Sequence, residues 1–405
     1  EDDLPFSVHT GVYGCPWKEG HRLVRIGLKG REVTQEKRPA GNFVFLLDVS
    51  GSMNSHDKLP LLKRAMKLLV DQLTENDRVS IVVYAGASGL VLPSTTCDRK
   101  AVIRNALDHL SAGGSTNGGQ GIELAYRVAT ENHIRGGINR VILATDGDFN
   151  VGVTSRSSLV DLIRKKAESG VFLSVLGFGT GNYKDSTMEK LADKGNGNYA
   201  YIDTFREAKK VLGREMSSTL VTIAKDVKIQ VEFNPAAVSA FRLIGYENRV
   251  LRHQDFTDDK KDAGEIGAGH TVTALYEIVP AGDKSAAAKT DPLKYQTGRE
   301  LSGAAWSGEA LTVKLRYKAP DGERSKLLRF PVRDSETAFA DAPDSVRFAA
   351  AAAGFGLLLR DSDYKGSLEF GDVVEWADTA KGEDPHGDRS EFMNLVRKAA
   401  ALKGD

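Results

Sequence analysis

Cysteine is scarce in this sequence, and neither sign of charge dominates it. The two cysteines, Cys15 and Cys97, have no Cys-x-x-Cys spacing. This argues against a disulfide framework and against a thiolate zinc site, and it leaves open a single bridge between the two. The 55 basic and 55 acidic residues give a formal net charge of zero, so composition gives no reason to expect binding to nucleic acid or to an anionic membrane surface. Partners must therefore be inferred from a local site.

Long apolar runs are also missing. The longest, FAAAAAGFGLLL from Phe348 to Leu359, has 12 residues, whereas a helix needs about 20 to cross a bilayer. It predicts a buried helix, and we expect no transmembrane segment in this chain. The sequence begins with EDDLPFSV, without Met or a basic and apolar leader. We therefore expect a processed or trimmed chain, and a removed export signal or anchor stays open.

A length of 405 residues predicts two or three domains. Between residues 41 and 220, short apolar strands alternate with amphipathic helices, which is typical of a parallel sheet covered on both faces. The predicted strands are 43–48, 78–85, 140–146, 171–179 and 198–202, with a weak edge strand at 89–94. The predicted helices are 58–73, 98–110, 118–133, 157–169, 185–194 and 204–219. The fold class of this part is therefore α/β, with a doubly wound, mostly parallel, Rossmann-like sheet.

The flanking segments show the two-residue alternation of antiparallel strands. It occurs in RLVRIGL at 22–28 and again in runs between 221 and 335, with no convincing helix between them. Because such strands lie on both sides of the α/β block, we expect the block to be inserted into an antiparallel β-sandwich. The predicted domains are 1–40 for the first sandwich strands, 41–220 for the α/β domain, 221–340 for the rest of the sandwich and 341–405 for a small C-terminal helical unit.

Two of the predicted parallel strands end in aspartate. FVFLLD closes on Asp48 and is followed by Ser50 and Ser52, RVILATD closes on Asp146, and a glycine-rich loop at 113–119 supplies further hydroxyls. Since ligands bind beyond the carboxyl ends of the strands in such sheets, we expect these groups to converge. Carboxylates and hydroxyls without a thiolate or an imidazole suit Mg²⁺, Mn²⁺ or Ca²⁺.

These residues resemble the metal-ion-dependent adhesion site of the von Willebrand factor type A domain. The Asp-x-Ser-x-Ser pattern of that family matches Asp48, Ser50 and Ser52, its threonine matches Thr116, and its second aspartate matches Asp146. The resemblance implies that the serines and often Thr116 contact a divalent ion, foremost Mg²⁺, while the aspartates act directly or through water. It also implies that an Asp or Glu carboxylate of a protein partner completes the coordination. Five neighbouring side chains are candidates for orienting water or contacting the partner: Asn54, Ser115, Asn117, Asp148 and Asn150.

Longer phrases, among them RPAGNFVFLLDVSGSM and GFGLLLRDSDYKGS, are similar to bacterial von Willebrand factor A proteins with an uncharacterised C-terminal domain. Such phrases span most of the chain. In that family the proteins are commonly exported, and no activity is firmly assigned. The resemblance therefore implies a periplasmic, cell-surface or lipoprotein-anchored location, with a cytoplasmic one left open.

The sequence predicts a metal-dependent protein-binding module for adhesion or assembly, not an enzyme. One alternative is a scaffold subunit of a larger assembly, such as one that contains an AAA ATPase. The other is a hydrolase, either metal-dependent or using paired aspartates in the manner of aspartic proteases. A metal-dependent hydrolase needs a base near the ion, and none stands out in the sequence. The predicted helices contradict the all-β fold of the aspartic proteases.

Overall fold

A computed structural model describes residues 4–86, 88–115, 118–147, 156–179, 185–215, 220–246, 253–259, 263–282, 300–320 and 322–404. Its strands, in chain order, are β1 (Phe6–Gly14), β2 (Arg22–Gly30), β3 (Gly41–Asp48), β4 (Arg78–Tyr84), β5 (Ser88–Thr96), β6 (Ile138–Thr145), β7 (Phe172–Phe178), β8 (Tyr199–Ile202), β9 (Thr222–Phe233), β10 (Val238–Ile244), β11 (Gly264–Gly267), β12 (Thr271–Pro280), β13 (Leu311–Lys318) and β14 (Lys326–Val332). Its α-helices are α1 (Leu59–Gln72), α2 (Lys100–Asp108), α3 (Gly118–Glu131), α4 (Arg156–Glu168), α5 (Asp185–Lys194), α6 (Phe205–Lys209), α7 (Asp344–Leu359), α8 (Phe370–Thr379) and α9 (Asp388–Lys403).

The α/β part is built on a six-stranded sheet with the strand order β5-β4-β3-β6-β7-β8. All neighbours are parallel except β5, which pairs antiparallel with β4. The predicted edge strand is therefore present, and it makes the sheet mixed. The predicted helix at 204–219 begins as α6 and continues from Lys210 to Arg214 as a π-helical turn, while residues 216–219 lie outside the described part of the chain.

The central strand β3 is buried along its whole length because helices cover both faces of the sheet. Phe43, Phe45 and Leu47 belong to the core shared with α1, α2 and α6. Val44 and Leu46 belong to the core shared with α3, α4 and α5. Successive side chains of a strand point to opposite faces, so an uninterrupted apolar run can fill two cores at once. Only the last residue of the strand is charged.

Two four-stranded antiparallel sheets form the β-sandwich, with the orders β1-β2-β12-β10 and β11-β9-β13-β14. Strand β2, which precedes the α/β domain, pairs with β12, which follows it, from Lys29 opposite Thr271 to Arg22 opposite Ile278. The inner faces of both sheets contribute to one apolar core, and the rings of Phe6 and Tyr317 meet across it at 5.0 Å. The α/β domain is thus inserted into the sandwich, as the sequence predicts.

The C-terminal helices cover the outer face of the sheet that contains β2 and β12, where Trp17 and Leu23 belong to the same core as residues of α7, α8 and α9. Glu277 is buried in this region and accepts hydrogen bonds from Trp17, His21 and Arg242. Burial raises the pKa of Glu277, but these bonds and the Arg242 charge lower it by more, so its pKa lies below the ordinary value. The carboxylate therefore remains charged at neutral pH.

The structure also bears on two questions raised by the composition, namely the state of the two cysteines and the presence of a membrane-crossing helix. Cys15 and Cys97 are both buried with free thiols, and burial raises the pKa of each thiol to about 12, so neither is a reactive thiolate at neutral pH. Within the described ranges, no helix combines the length and apolar character needed to cross a bilayer.

Candidate functional site

The predicted site lies at the carboxyl edge of the six-stranded sheet, between β3 and β6. The chain leaves β3 toward β4 on one side and later returns to β6 on the other side. This reversal creates the crevice at which open α/β sheets bind ligands. Asp48 is the last residue of β3, and Asp146 directly follows β6. The parallel pairing of these strands brings both carboxylates to one edge, although 97 residues separate them in sequence.

Asp48 is fully buried and held in one orientation. One carboxylate oxygen accepts the Ser50 backbone N–H at 2.9 Å, and the other accepts the hydroxyls of Tyr84 and Thr145, each at 3.2 Å. Burial raises the pKa of Asp48, and the neighbouring Asp146 charge adds to the rise, while the hydrogen bonds from Ser50 oppose it. Because burial disfavours the ionised form of this carboxylate, a nearby cation would stabilise that form.

The two serines of the motif lie in the turn directly after β3. Residues Gly51–Asn54 form a 3₁₀ turn, and the Ser50 and Ser52 hydroxyl oxygens are 3.0 Å apart. Ser50 is 2% exposed, whereas Ser52 is exposed. Met53 is completely buried and belongs to the core under α1, so it fixes the turn to the domain. The two hydroxyls therefore lie on a firmly packed turn at the carboxyl edge of the sheet.

The glycine-rich loop packs against this turn through its backbone. Gly113 donates its N–H to the Val49 carbonyl at 2.8 Å, and Gly51 donates to the Gly114 carbonyl at 3.0 Å. A methyl group on Gly114 would lie 3.2 Å from the Gly86 backbone nitrogen, and the φ of Gly114 is +81°, which glycine adopts without strain. Ser115, which follows, is exposed at the same edge.

A lysine that sequence reasoning missed completes the described site. The Lys58 ammonium donates to a carboxylate oxygen of Asp146 at 2.9 Å and to the Ser52 carbonyl at 3.1 Å. The Asp146 side chain is 3% exposed and that of Lys58 is 20% exposed. The signal in the sequence was a lone basic residue just after the Asp-x-Ser-x-Ser motif. Tyr84 and Thr145 were also missed, because only the strand register shows that they flank Asp48.

Four of the five predicted metal ligands are described, and the structure brings all four to this edge: Asp48, Ser50, Ser52 and Asp146. Of the five predicted neighbours, Asn54 and Ser115 are described, and both are exposed beside the motif turn and the glycine loop. The other predicted site residues lie outside the described residues, and their roles stay predictions: Thr116, Asn117, Asp148 and Asn150.

This set of groups fits a hard cation. Within the described ranges, this edge included, no three His, Cys, Asp or Glu side chains are clustered so that they could hold a metal. At this edge the donors are instead two carboxylates and a hydroxyl pair, which are oxygen ligands of the kind that Mg²⁺ and Ca²⁺ prefer. The Lys58 ammonium shows that one carboxylate and one carbonyl here already bind a positive charge.

Comparison with known proteins divides the chain into two matched regions. The model of the von Willebrand factor type A domain matches residues 42–214. The model described as the C-terminal region of the uncharacterized protein YfbK matches residues 218–402. Together the matches take in the six-stranded sheet, most of the sandwich and the C-terminal helices.

Relatives extend these matches along the chain. The uncharacterized protein YfbK of Escherichia coli (strain K12) is 46% identical over 396 residues, which cover 98% of this chain and 68% of that protein. The uncharacterized protein sll0103 of Synechocystis sp. is 26% identical over 195 residues, which cover 48% of this chain and 45% of that protein. Among solved structures, a von Willebrand factor type A protein from Catenulispora acidiphila aligns over 97% of this chain and 89% of its own, with 17% identity and a TM-score of 0.49.

Proposed function

Because this chain belongs to the family of the protein YfbK and carries a von Willebrand factor type A domain, we propose that it is a metal-dependent binding module. A divalent cation, foremost Mg²⁺, at the carboxyl edge of the sheet would dock an Asp or Glu side chain of a protein partner. The matched region covers about two thirds of the Escherichia coli relative. The binding function is therefore proposed for this chain, and any activity of the full-length protein is a proposal as well.

One observation carries the proposal: two buried carboxylates and a hydroxyl pair from separate elements meet at a single sheet edge. Ser50 and Ser52 would hold the ion through their hydroxyls, and Asp48 and Asp146 would hold it directly or through water. Hydroxyl ligands are neutral, so a bound divalent ion keeps enough charge to attract an outside anion. Asp48 is oriented by three hydrogen bonds, which limits the reorganisation needed for binding.

We also propose that the module is not catalytic. Asp48 has no exposed surface, and Lys58 holds Asp146 in an ion pair. Burial raises the pKa of Tyr84 well above its ordinary value, which keeps the phenol protonated. None of these groups is therefore placed to accept a proton from a substrate bound at the carboxyl edge of the sheet. The aspartic protease alternative is wrong in its fold, since both aspartates lie in a doubly wound α/β domain.

An exported location follows from the family resemblance and stays a proposal. The alternative, a scaffold subunit that assembles with an AAA ATPase, also stays a proposal. It predicts binding that does not depend on a cation. The two binding models therefore differ in one measurable property, the effect of a chelator on partner capture.

We expect partner capture to depend on the ion. The immobilised chain would be incubated with an extract of the bacterium that carries the gene, in Mg²⁺ or in EDTA, beside an Asp48→Asn variant. A specific partner should bind in Mg²⁺, elute with EDTA and fail to bind Asp48→Asn. Replacing one Asp or Glu of the captured partner by its amide should then abolish binding. Capture that is equal in Mg²⁺ and EDTA would instead support the scaffold alternative and overturn the docking proposal.

A further inference from the structure

Lys58 occupies a position where a free cation is unfavourable. It directly precedes α1, and the N-terminal end of a helix carries partial positive charge, so lysine is disfavoured there. It is also the only Lys or Arg between residues 41 and 62. Its ammonium contacts Asp146 and the Ser52 carbonyl, at 2.9 and 3.1 Å. The charge is thus directed into the candidate metal site.

The rest of the Lys58 residue is fixed by its surroundings. Its N–H donates to the Ser55 carbonyl at 3.1 Å, and its own carbonyl accepts the Leu62 N–H at 2.8 Å. Its aliphatic stem lies against Gly179, where a methyl group would come within 2.6 Å of Lys58 Cγ and Cε. Gly179 has a φ of +84° and follows β7. The backbone of Lys58 is therefore fixed at the start of α1, and the absence of a side chain at Gly179 leaves room for its stem.

We propose that Lys58 is a tethered cation that competes with the divalent ion for the Asp146 carboxylate. This inference rests on the proposed function and concerns the regulation of the same site. In the metal-free protein, the ammonium neutralises a carboxylate that is almost completely buried, where an unpaired charge would be costly. A divalent ion must replace or share that contact, and it is repelled by the ammonium at short range. Lys58 thus lowers the affinity for the ion below the value that the oxygen donors alone would give.

The competition predicts tighter metal binding when the ammonium is removed. Methionine retains an unbranched apolar stem against Gly179 without the charge, so Lys58→Met should bind Mn²⁺ about tenfold more tightly than the wild type. Lys63→Met is the matched control: Lys63 lies in α1, just after Lys58, and its ammonium binds the backbone carbonyls of Asp108 and Leu110. It removes the same charge away from the site, and its affinity should stay within about twofold of the wild type.

The experiment is calorimetric titration of Mn²⁺ alone into the full chain and both variants at one salt concentration. Circular dichroism would check that each variant is folded. Mn²⁺ binding that is measurable in the wild type but equal or weaker in Lys58→Met overturns the role of Lys58 and leaves the metal site standing. Tightening of the same size in Lys63→Met would show a general effect of net charge and also overturn it. Absence of Mn²⁺ binding in the wild type and in Lys58→Met overturns the proposed function itself, and the competition with it.

Discussion

Asp48→Asn is expected to weaken Mg²⁺ and Mn²⁺ binding at least about a hundredfold while the chain remains folded. Asparagine has nearly the same shape as aspartate, and its carbonyl oxygen can still accept the Ser50 N–H. The Tyr84 and Thr145 hydroxyls can accept as well as donate, so they can pair with the amide NH₂. The variant therefore removes charge from the site and little else. Calorimetric titration of Mn²⁺ measures the loss.

Asp108→Asn is the control for this substitution, because Asp108 lies at the surface and pairs with Lys67. Its affinity for Mn²⁺ should equal that of the wild type. Asp48→Ala is less suitable as a test, because it removes the carboxylate oxygen that accepts both the Tyr84 and the Thr145 hydroxyls and should cost about 1–3 kcal/mol of stability. If Asp48→Asn bound Mn²⁺ with wild-type affinity, the assignment of Asp48 to the metal site would be contradicted.

Asp48→Asn should also change how the free energy of unfolding depends on pH in the absence of metal. Burial raises the pKa of Asp48 from its ordinary value of 3.8, so the native state holds this proton more tightly than the unfolded state does. The free energy of unfolding of the wild type, relative to Asp48→Asn, should therefore fall as pH rises from about 3.8 through the raised pKa, and stay level above it. Urea unfolding of both proteins in EDTA across this range measures the difference. A relative stability that rises with pH would contradict the account.

Asp77→Ala is expected to lower the free energy of unfolding by about 3–5 kcal/mol. Asp77 is fully buried and accepts hydrogen bonds from Arg38, from the Gly41 N–H at 2.7 Å, and from Thr74 through its N–H at 2.7 Å and its hydroxyl at 3.0 Å. The Arg38 side chain is 2% exposed. Loss of the carboxylate would leave a buried guanidinium without its counter-charge and would loosen the entry into β3.

The measurement is urea unfolding followed by far-ultraviolet circular dichroism, with midpoints compared between variants of equal slope. Asp108→Ala is the control, since it removes an exposed carboxylate, and its midpoint should match that of the wild type. A change below about 1 kcal/mol in Asp77→Ala would show that the Arg38–Asp77 pair contributes little to the attachment of this segment.

The sequence was informative about the site because its chemistry follows from strand ends. An apolar run that stops at Asp48 and another that stops at Asp146 place two carboxylates at one edge whenever the strands are parallel, whatever their exact register. The insertion of the α/β domain was also predictable, because alternating strands occur before residue 40 and after residue 221. Both inferences depend on periodicity, which a single sequence displays directly.

Other elements gave weaker signals. Strand β11 has only four residues, two of them glycine, and β10 is interrupted by a register shift between Val238 and Ala240. Lys58 was missed for a different reason: a long flexible side chain can reach many partners, and sequence does not show which one it meets. Its contact with Asp146 depends on the turn after β3 and on the space at Gly179.

Anomalous diffraction from crystals of the chain soaked in Mn²⁺ tests the central claim most directly, because it locates the ion without assuming its ligands. The account predicts one strong anomalous peak within coordination distance of the Ser50 and Ser52 hydroxyls, between the carboxylates of Asp48 and Asp146. A peak that appears only elsewhere in the chain, or no peak at this edge at saturating Mn²⁺, would contradict it.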